Sequence, residues 1–204
     1  MDILGGILVS VLFLIYLILW KLKRAIQIKT TGIDPDVLKK SSSNLQKYIG
    51  IMLNALTSYA VILIILHTLN LRYYAFFDRF NLLDVPFIKF MGFFVGLVGL
   101  SFCLYAQIKM GQSWRVGIDA NTKTSLIQTG LYKIIRNPTY LGLFILNVGV
   151  WIIWPTWTML AFNLLFIYTL EIQVRCEEDF LEQIHGKTYL NYRKLTKRYI
   201  PYIY

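Results

Sequence analysis

Two short polar segments interrupt a chain that is otherwise mostly apolar. The first runs from Gly130 to Gly142 and holds Tyr132, Arg136, Asn137, Pro138, Thr139 and Tyr140; the second runs from Gln173 to Leu181 and holds Arg175, Glu177, Glu178 and Asp179. Pro138 suits the first turn of a helix, where the N–H it lacks would have no partner, and Asn137 before it suits the N-cap. A helix N-terminus presents free amides and a partial positive charge, so it can hold a carboxylate or a similar anion. The plainer reading is a capped helix start anchored at a membrane interface. Adjacent carboxylates can hold a ribose diol, an ammonium or a sulfonium group, or simply solvate a helix end. On a helix, Glu177 and Glu178 point about 100° apart, so at most one is expected to face inward. Glu171 lies inside an apolar run, where a charge is costly, and is a functional candidate on that ground.

Other chemistries find little support. His67 and His185 are far apart, with no ligand partners at metal spacing, and Cys103 and Cys176 make neither a disulfide framework nor a metal motif. No metal is expected. The sequence has no Ser/His/Asp set with family context, no phosphate loop and no dinucleotide fingerprint.

The elements that must position these residues are membrane helices. Of 204 residues, 56% are hydrophobic and only 16% are charged, against about a quarter charged in soluble domains. The apolar residues form runs near the roughly 20 residues needed to span a bilayer: Ile3 to Trp20, Tyr48 to Leu69, Phe87 to Ile108, Tyr140 to Trp154 and Trp157 to Ile172. The last two are short and read as a tight helical hairpin. The expected fold is therefore an all-α integral membrane bundle of about five transmembrane helices with a cytoplasmic, helical C-terminal tail; four spans with a re-entrant pair is the competing count. The first run lacks a basic leader and a cleavage site, so it is expected to remain as a helix. Lys and Arg concentrate in 21–47, 109–139 and the tail. The positive-inside rule makes that face cytoplasmic and, with an odd number of spans, puts the N-terminus outside. Most of these cations are expected to set topology and attract anionic membrane lipids. Nucleic acid is not an expected partner, because the charges are scattered over three juxtamembrane segments with no recognisable module.

Taken together, the two segments form a pattern. Tyr132, then Arg136, Asn137, Pro138, Tyr140 and Gly142, an apolar hairpin, then Glu177, Glu178, Leu181, Gly186, Tyr189 and Tyr192, and finally Arg198 and Pro201, closely resemble the isoprenylcysteine carboxyl methyltransferase family, relatives of the phospholipid N-methyltransferases. The stretch Gly111 to Gly117 is similar to bacterial members. The resemblance covers roughly 110–204, taken as the methyltransferase core; 1–109 forms the N-terminal helices, about which it says nothing for the first two. It implies an S-adenosylmethionine-dependent membrane methyltransferase with a lipid-like or prenylated acceptor, carboxyl O-methylation being the favoured reaction. By matching positions it assigns Gly117, Thr124, Ser125, Leu126, Ile127, Tyr132, Asn137, Pro138, Thr139, Tyr140 and Glu177 to the cofactor and Gln173 to the substrate; Arg175, two residues beyond Gln173, is a secondary candidate for substrate contact, and Arg175 and Glu178 are the candidate catalytic residues. Three positions depart from the pattern. Asn137 and Thr124 stand where the best-known members have His, and Gln173 stands where the prenylcysteine enzymes have an Arg that meets the substrate. Two other classes compete: a membrane reductase of the steroid-reductase type with a nicotinamide cofactor, and a non-enzymatic scaffold.

Overall fold

A computed structural model describes residues 2–38, 41, 43–70, 75–80, 83–118 and 125–201. Among them are six α-helices: α1 (Ile3–Thr31), α2 (Asn44–Leu69), α3 (Pro86–Met110), α4 (Pro138–Ile153), α5 (Trp157–His185) and α6 (Lys187–Leu195). Four, α1, α2, α3 and α5, are long and apolar enough to cross a membrane, and α4 is a shorter apolar helix. Their outer faces carry bare Ile, Leu and Phe, such as Ile7, Leu14, Ile51, Phe90, Phe94 and Leu164. An apolar surface this continuous is suited to lipid and not to water. The protein is an integral membrane protein.

The two ends of the bundle are built differently. At one end Asp2 caps α1, accepting from Gly5 N at 3.1 Å, and accepts from the Trp154 indole at 2.9 Å. Arg79 and Lys89, both nearly buried, pair with Asp2 at 2.7 and 3.1 Å and with Asp84 at 2.9 Å each. Two cations and two carboxylates thus neutralise one another where a lone buried charge would be costly. The same end holds the hairpin turn, where Phe80 N donates to Pro155 O at 2.9 Å. His67 is buried there, stacked on Trp154 and 3.0 Å from the Thr158 hydroxyl.

The opposite end gathers the three basic segments. α1 does not stop at Lys21 but continues to Thr31, and this extension carries the connection after α3. Lys23 donates to Gly111 O at 2.8 Å, and Gln27 to the carbonyls of Gln112 and Trp114 at 3.0 and 2.7 Å. The short α4 runs from this end, at Asn137, to the other, at Trp154. It does so pressed on α3 through glycines. A Cβ on Gly99 would lie 2.5 Å from the Gly142 carbonyl oxygen, and one on Gly149 2.6 Å from that of Gly92. Small residues at this spacing allow backbones to touch, which gives the Gly92, Gly96 and Gly99 face its purpose.

Candidate functional site

The tail is laced onto the chain just before α4. Lys197 N donates to Ile134 O at 3.1 Å, Arg136 N to Lys197 O at 2.8 Å and Asn137 N to Arg198 O at 3.2 Å, a short parallel bridge. Tyr192 of α6 adds a hydroxyl bond to the Tyr132 carbonyl at 2.7 Å. Gly186, with φ +53, makes the turn that lays α6 back on the bundle. These bonds satisfy the backbone groups of Ile134, Arg136 and Asn137 that face the tail.

Glu178 is the electrostatic hub of this arrangement. Oε1 accepts from Arg136 Nε at 3.0 Å and Asn137 Nδ2 at 2.9 Å, and Oε2 from Arg198 Nε and Nη2 at 3.1 and 2.7 Å. Arg136 also donates to the Thr196 carbonyl at 2.6 Å. Asn137 therefore occupies the N-cap position of α4 but makes no capping bond with its side chain; that side chain is drawn to Glu178. Glu171, the carboxylate within the apolar run, accepts from Arg175 and Arg198 at 2.9 Å each and from the Tyr199 hydroxyl at 2.5 Å. It is a clamp for the tail.

Behind this brace lies a cavity of about 230 Å³, apolar toward the middle of the bundle and polar toward the tail. Gly117, Ser125, Leu126, Ile127, Tyr132, Asn137, Thr139, Tyr140, Gln173 and Glu177 all line it. Pro138 is buried in the first turn of α4, beneath the lining. Thr124 lies outside the described residues. Arg175 and Glu178 are not brought to the cavity: the Arg175 side chain is 58% exposed and paired with Glu171 one turn back, and both oxygens of Glu178 are taken up by the brace. The expectation that at most one of the adjacent carboxylates faces inward is not met: Glu177 lines the cavity and Glu178, 4% exposed, is buried in the brace beside it, because the cavity and the tail enclose neighbouring faces of α5.

Glu177 is held by one oxygen. Its Oε1 accepts from the Tyr140 hydroxyl and from Gln173 Nε2, each at 2.8 Å. Among the described residues nothing donates to its Oε2, and no cation pairs with it. Tyr189, 1% exposed, also lines the cavity, and among the described residues its buried hydroxyl has no hydrogen-bond partner. Burial pushes the Tyr132 phenol well above its ordinary value, so it is a neutral hydroxyl. The site thus offers a carboxyl acceptor and a neutral hydroxyl to a ligand with donors or a positive charge.

Sequence reasoning missed Tyr16, Trp20, Leu53 and Thr57, by which α1 and α2 close the apolar side of the cavity. Nothing in an apolar run marks which residues face a cavity and which face lipid. It also missed Gln46, one buried amide at the start of α2.

The family model described as phospholipid methyltransferase matches residues 87–188, half of the chain. The chain is 30% identical over 101 residues to the protein-S-isoprenylcysteine O-methyltransferase of Schizosaccharomyces pombe, covering 48% of this chain and 43% of that protein. It is 27% identical over 121 residues to a probable protein-S-isoprenylcysteine O-methyltransferase of Oryza sativa subsp. indica, 57% of this chain and 63% of that one. A protein-S-isoprenylcysteine O-methyltransferase of Dictyostelium discoideum is 28% identical over 90 residues, 39% and 34% of the two chains. In each case the match spans less than two thirds of the relative's length. Residues 87–188 include Arg136, Asn137 and Glu178 of the brace, though not Arg198, and most of the polar cavity wall, and the chain belongs to the phospholipid methyltransferase family.

Proposed function

We propose that the protein is an S-adenosylmethionine-dependent methyltransferase of the membrane, acting on a lipid-like or prenylated acceptor. One observation carries this reading. Glu177 is fixed through Oε1 and offers Oε2 to a cavity whose polar wall comes from the family-matched segments and whose other wall is apolar.

Bound there, the cofactor supplies a methyl group on a sulfonium, open to a nucleophile in line with the S–CH₃ bond. The residues of this chain bind, orient and exclude water. Glu177 would take the cofactor's donor groups or positive charge, with Tyr132 as a neutral hydroxyl contact. In the first turn of α4, Thr139 and Tyr140 leave backbone N–H groups without helical acceptors, suited to a carboxylate. The Tyr16, Trp20, Leu53 and Thr57 wall would hold the apolar part of the acceptor and keep water out, so that positioning does most of the work. Residues 110–204 supply the cofactor groups, and 1–109 most of the acceptor wall. Gln173 remains at the acceptor side of Glu177. The basic end faces the cytoplasm, where a soluble cofactor is available, and the N-terminus lies outside. The test is transfer of labelled methyl to a prenylcysteine analogue, to aminophospholipids and to a total lipid extract. Transfer to any of them supports the reading, and absence of transfer to all three contradicts it.

A further inference from the structure

Resting on the cofactor reading above, we infer that Gln46 is a positioning residue: it fixes the Glu177 carboxylate at the cavity through a one-way relay of amides. Gln46 and Gln173 are each 2% exposed and meet where α2 packs on α5. Gln173 and Glu177 line the cavity, and Gln46 stands behind them.

The direction of the relay is forced. A backbone N–H can only donate, and that of Ile118 donates to Gln46 Oε1 at 3.1 Å. With its oxygen committed, Gln46 turns Nε2 to Gln173 Oε1 at 2.9 Å. Gln173 then presents Nε2, which reaches Glu177 Oε1 at 2.8 Å and Gln46 Oε1 at 3.3 Å. The two ends of an amide have nearly the same shape and opposite polarity, so only such a network distinguishes them. Reversing Gln173 would set its carbonyl oxygen against the carboxylate oxygen of Glu177 and its NH₂ against that of Gln46.

The relay accounts for two buried amides in an otherwise apolar contact, where an unpaired amide is unfavourable. It also accounts for Glu177 keeping one oxygen turned to its protein partners. Its consequence is that α2, which lies wholly outside the family-matched residues 87–188, helps to set cofactor affinity.

The experiment uses the full chain in detergent, with Gln46→Met, Gln173→Met, Glu177→Gln and their combinations. Each is measured by calorimetric titration with S-adenosylhomocysteine and by thermal unfolding. Met keeps the length and helix preference of Gln. Gln46→Met is expected to weaken binding about tenfold, and to have no further effect where Gln173→Met is already present. A purely structural role would lower the unfolding midpoint and leave affinity unchanged; that result, in a wild type that binds, overturns the positioning role. The midpoints test the relay without ligand. Gln46→Met releases the Gln173 amide to turn and satisfy Glu177→Gln, so the pair should fall short of the sum of the singles by about 2–4 °C. That coupling should vanish in the Gln173→Met background. Additive midpoints in both backgrounds overturn the relay whether or not a ligand binds. A wild type that does not bind S-adenosylhomocysteine overturns the cofactor reading, and the midpoint cycle still decides the relay.

Discussion

The phenol of Tyr140 donates to Glu177 Oε1 at 2.8 Å and so joins the first turn of α4 to a point on α5 37 residues further along the chain. One bond thereby ties the pre-helix segment, which the tail holds from outside, to the carboxylate that faces the cavity. Tyr140→Phe removes the donor and keeps the ring. Binding of S-adenosylhomocysteine is expected to weaken about tenfold by calorimetry, as for loss of a hydrogen bond to a charged group. Unchanged affinity would leave Gln173 as the sole partner that matters.

The brace around Glu178 has a different signature. Glu178→Ala leaves Arg136 and Arg198 partly buried without their shared carboxylate. Breaking one side of such a buried pair costs about 3 kcal/mol or more, which lowers the unfolding midpoint of a chain this size by roughly 6–12 °C. The tail should loosen as well, so limited proteolysis is expected to cut near Thr196 and Lys197 sooner than in wild type. A midpoint within a degree or two of wild type would mean that the tail is held by its backbone bridge alone.

At the other end, stability should depend on acid pH. Burial alone would raise the carboxyl of Asp84, but hydrogen bonds from Lys89 and Arg79 and their charges outweigh it and hold it below its ordinary value of 3.8. Asp2 is lowered in the same way, with the Gly5 amide, Trp154, Lys89 and Arg79 outweighing burial. With folded values depressed, the native state binds fewer protons than the unfolded chain. The stabilisation is therefore complete above the unfolded value and lost as pH falls through the folded one. The midpoint is expected to be insensitive to this cluster from pH 7 to 5 and to fall below about pH 4. In Asp84→Asn that acid fall should be shallower; an identical fall would place its cause elsewhere.

Orientation follows from the three basic segments sharing one end. In a variant lacking Cys103 and Cys176, single cysteines at Thr30 and Asn191 should react with an impermeant thiol reagent from the same side, and one at Asp78 from the other. Labelling of Thr30 and Asn191 from opposite sides would contradict the five-helix path.

The helices were legible in the sequence because a bilayer demands long apolar runs. The ends were less so. Lys21 and Arg24 end the hydrophobic run of α1 but not its helix, since both are good helix formers and the extension is held by Gln27 and Lys23 through carbonyls of a distant loop. At the site, helical geometry led to at most one inward carboxylate, whereas Glu177 and Glu178 are both enclosed. The burial of Glu178 was not legible, because the groups that hold it, Arg198 and Arg136, come from positions 20 and 42 residues away. Gln46 left no local trace: its partners are at 118 and 173, and a single Gln near a helix start has many ordinary explanations.

The central claim is that Glu177 faces a cofactor. Calorimetric titration of the purified, detergent-solubilised protein with S-adenosylhomocysteine, wild type beside Glu177→Ala, tests it most directly, with a nicotinamide cofactor titrated as control. Wild type should bind S-adenosylhomocysteine and not the nicotinamide. Glu177→Ala should bind it about ten- to a hundredfold more weakly, the worth of a charge-assisted hydrogen bond in a buried site. Equal affinities would remove Glu177 from the site, and a wild type that binds neither compound, or only the nicotinamide, would contradict the methyltransferase reading.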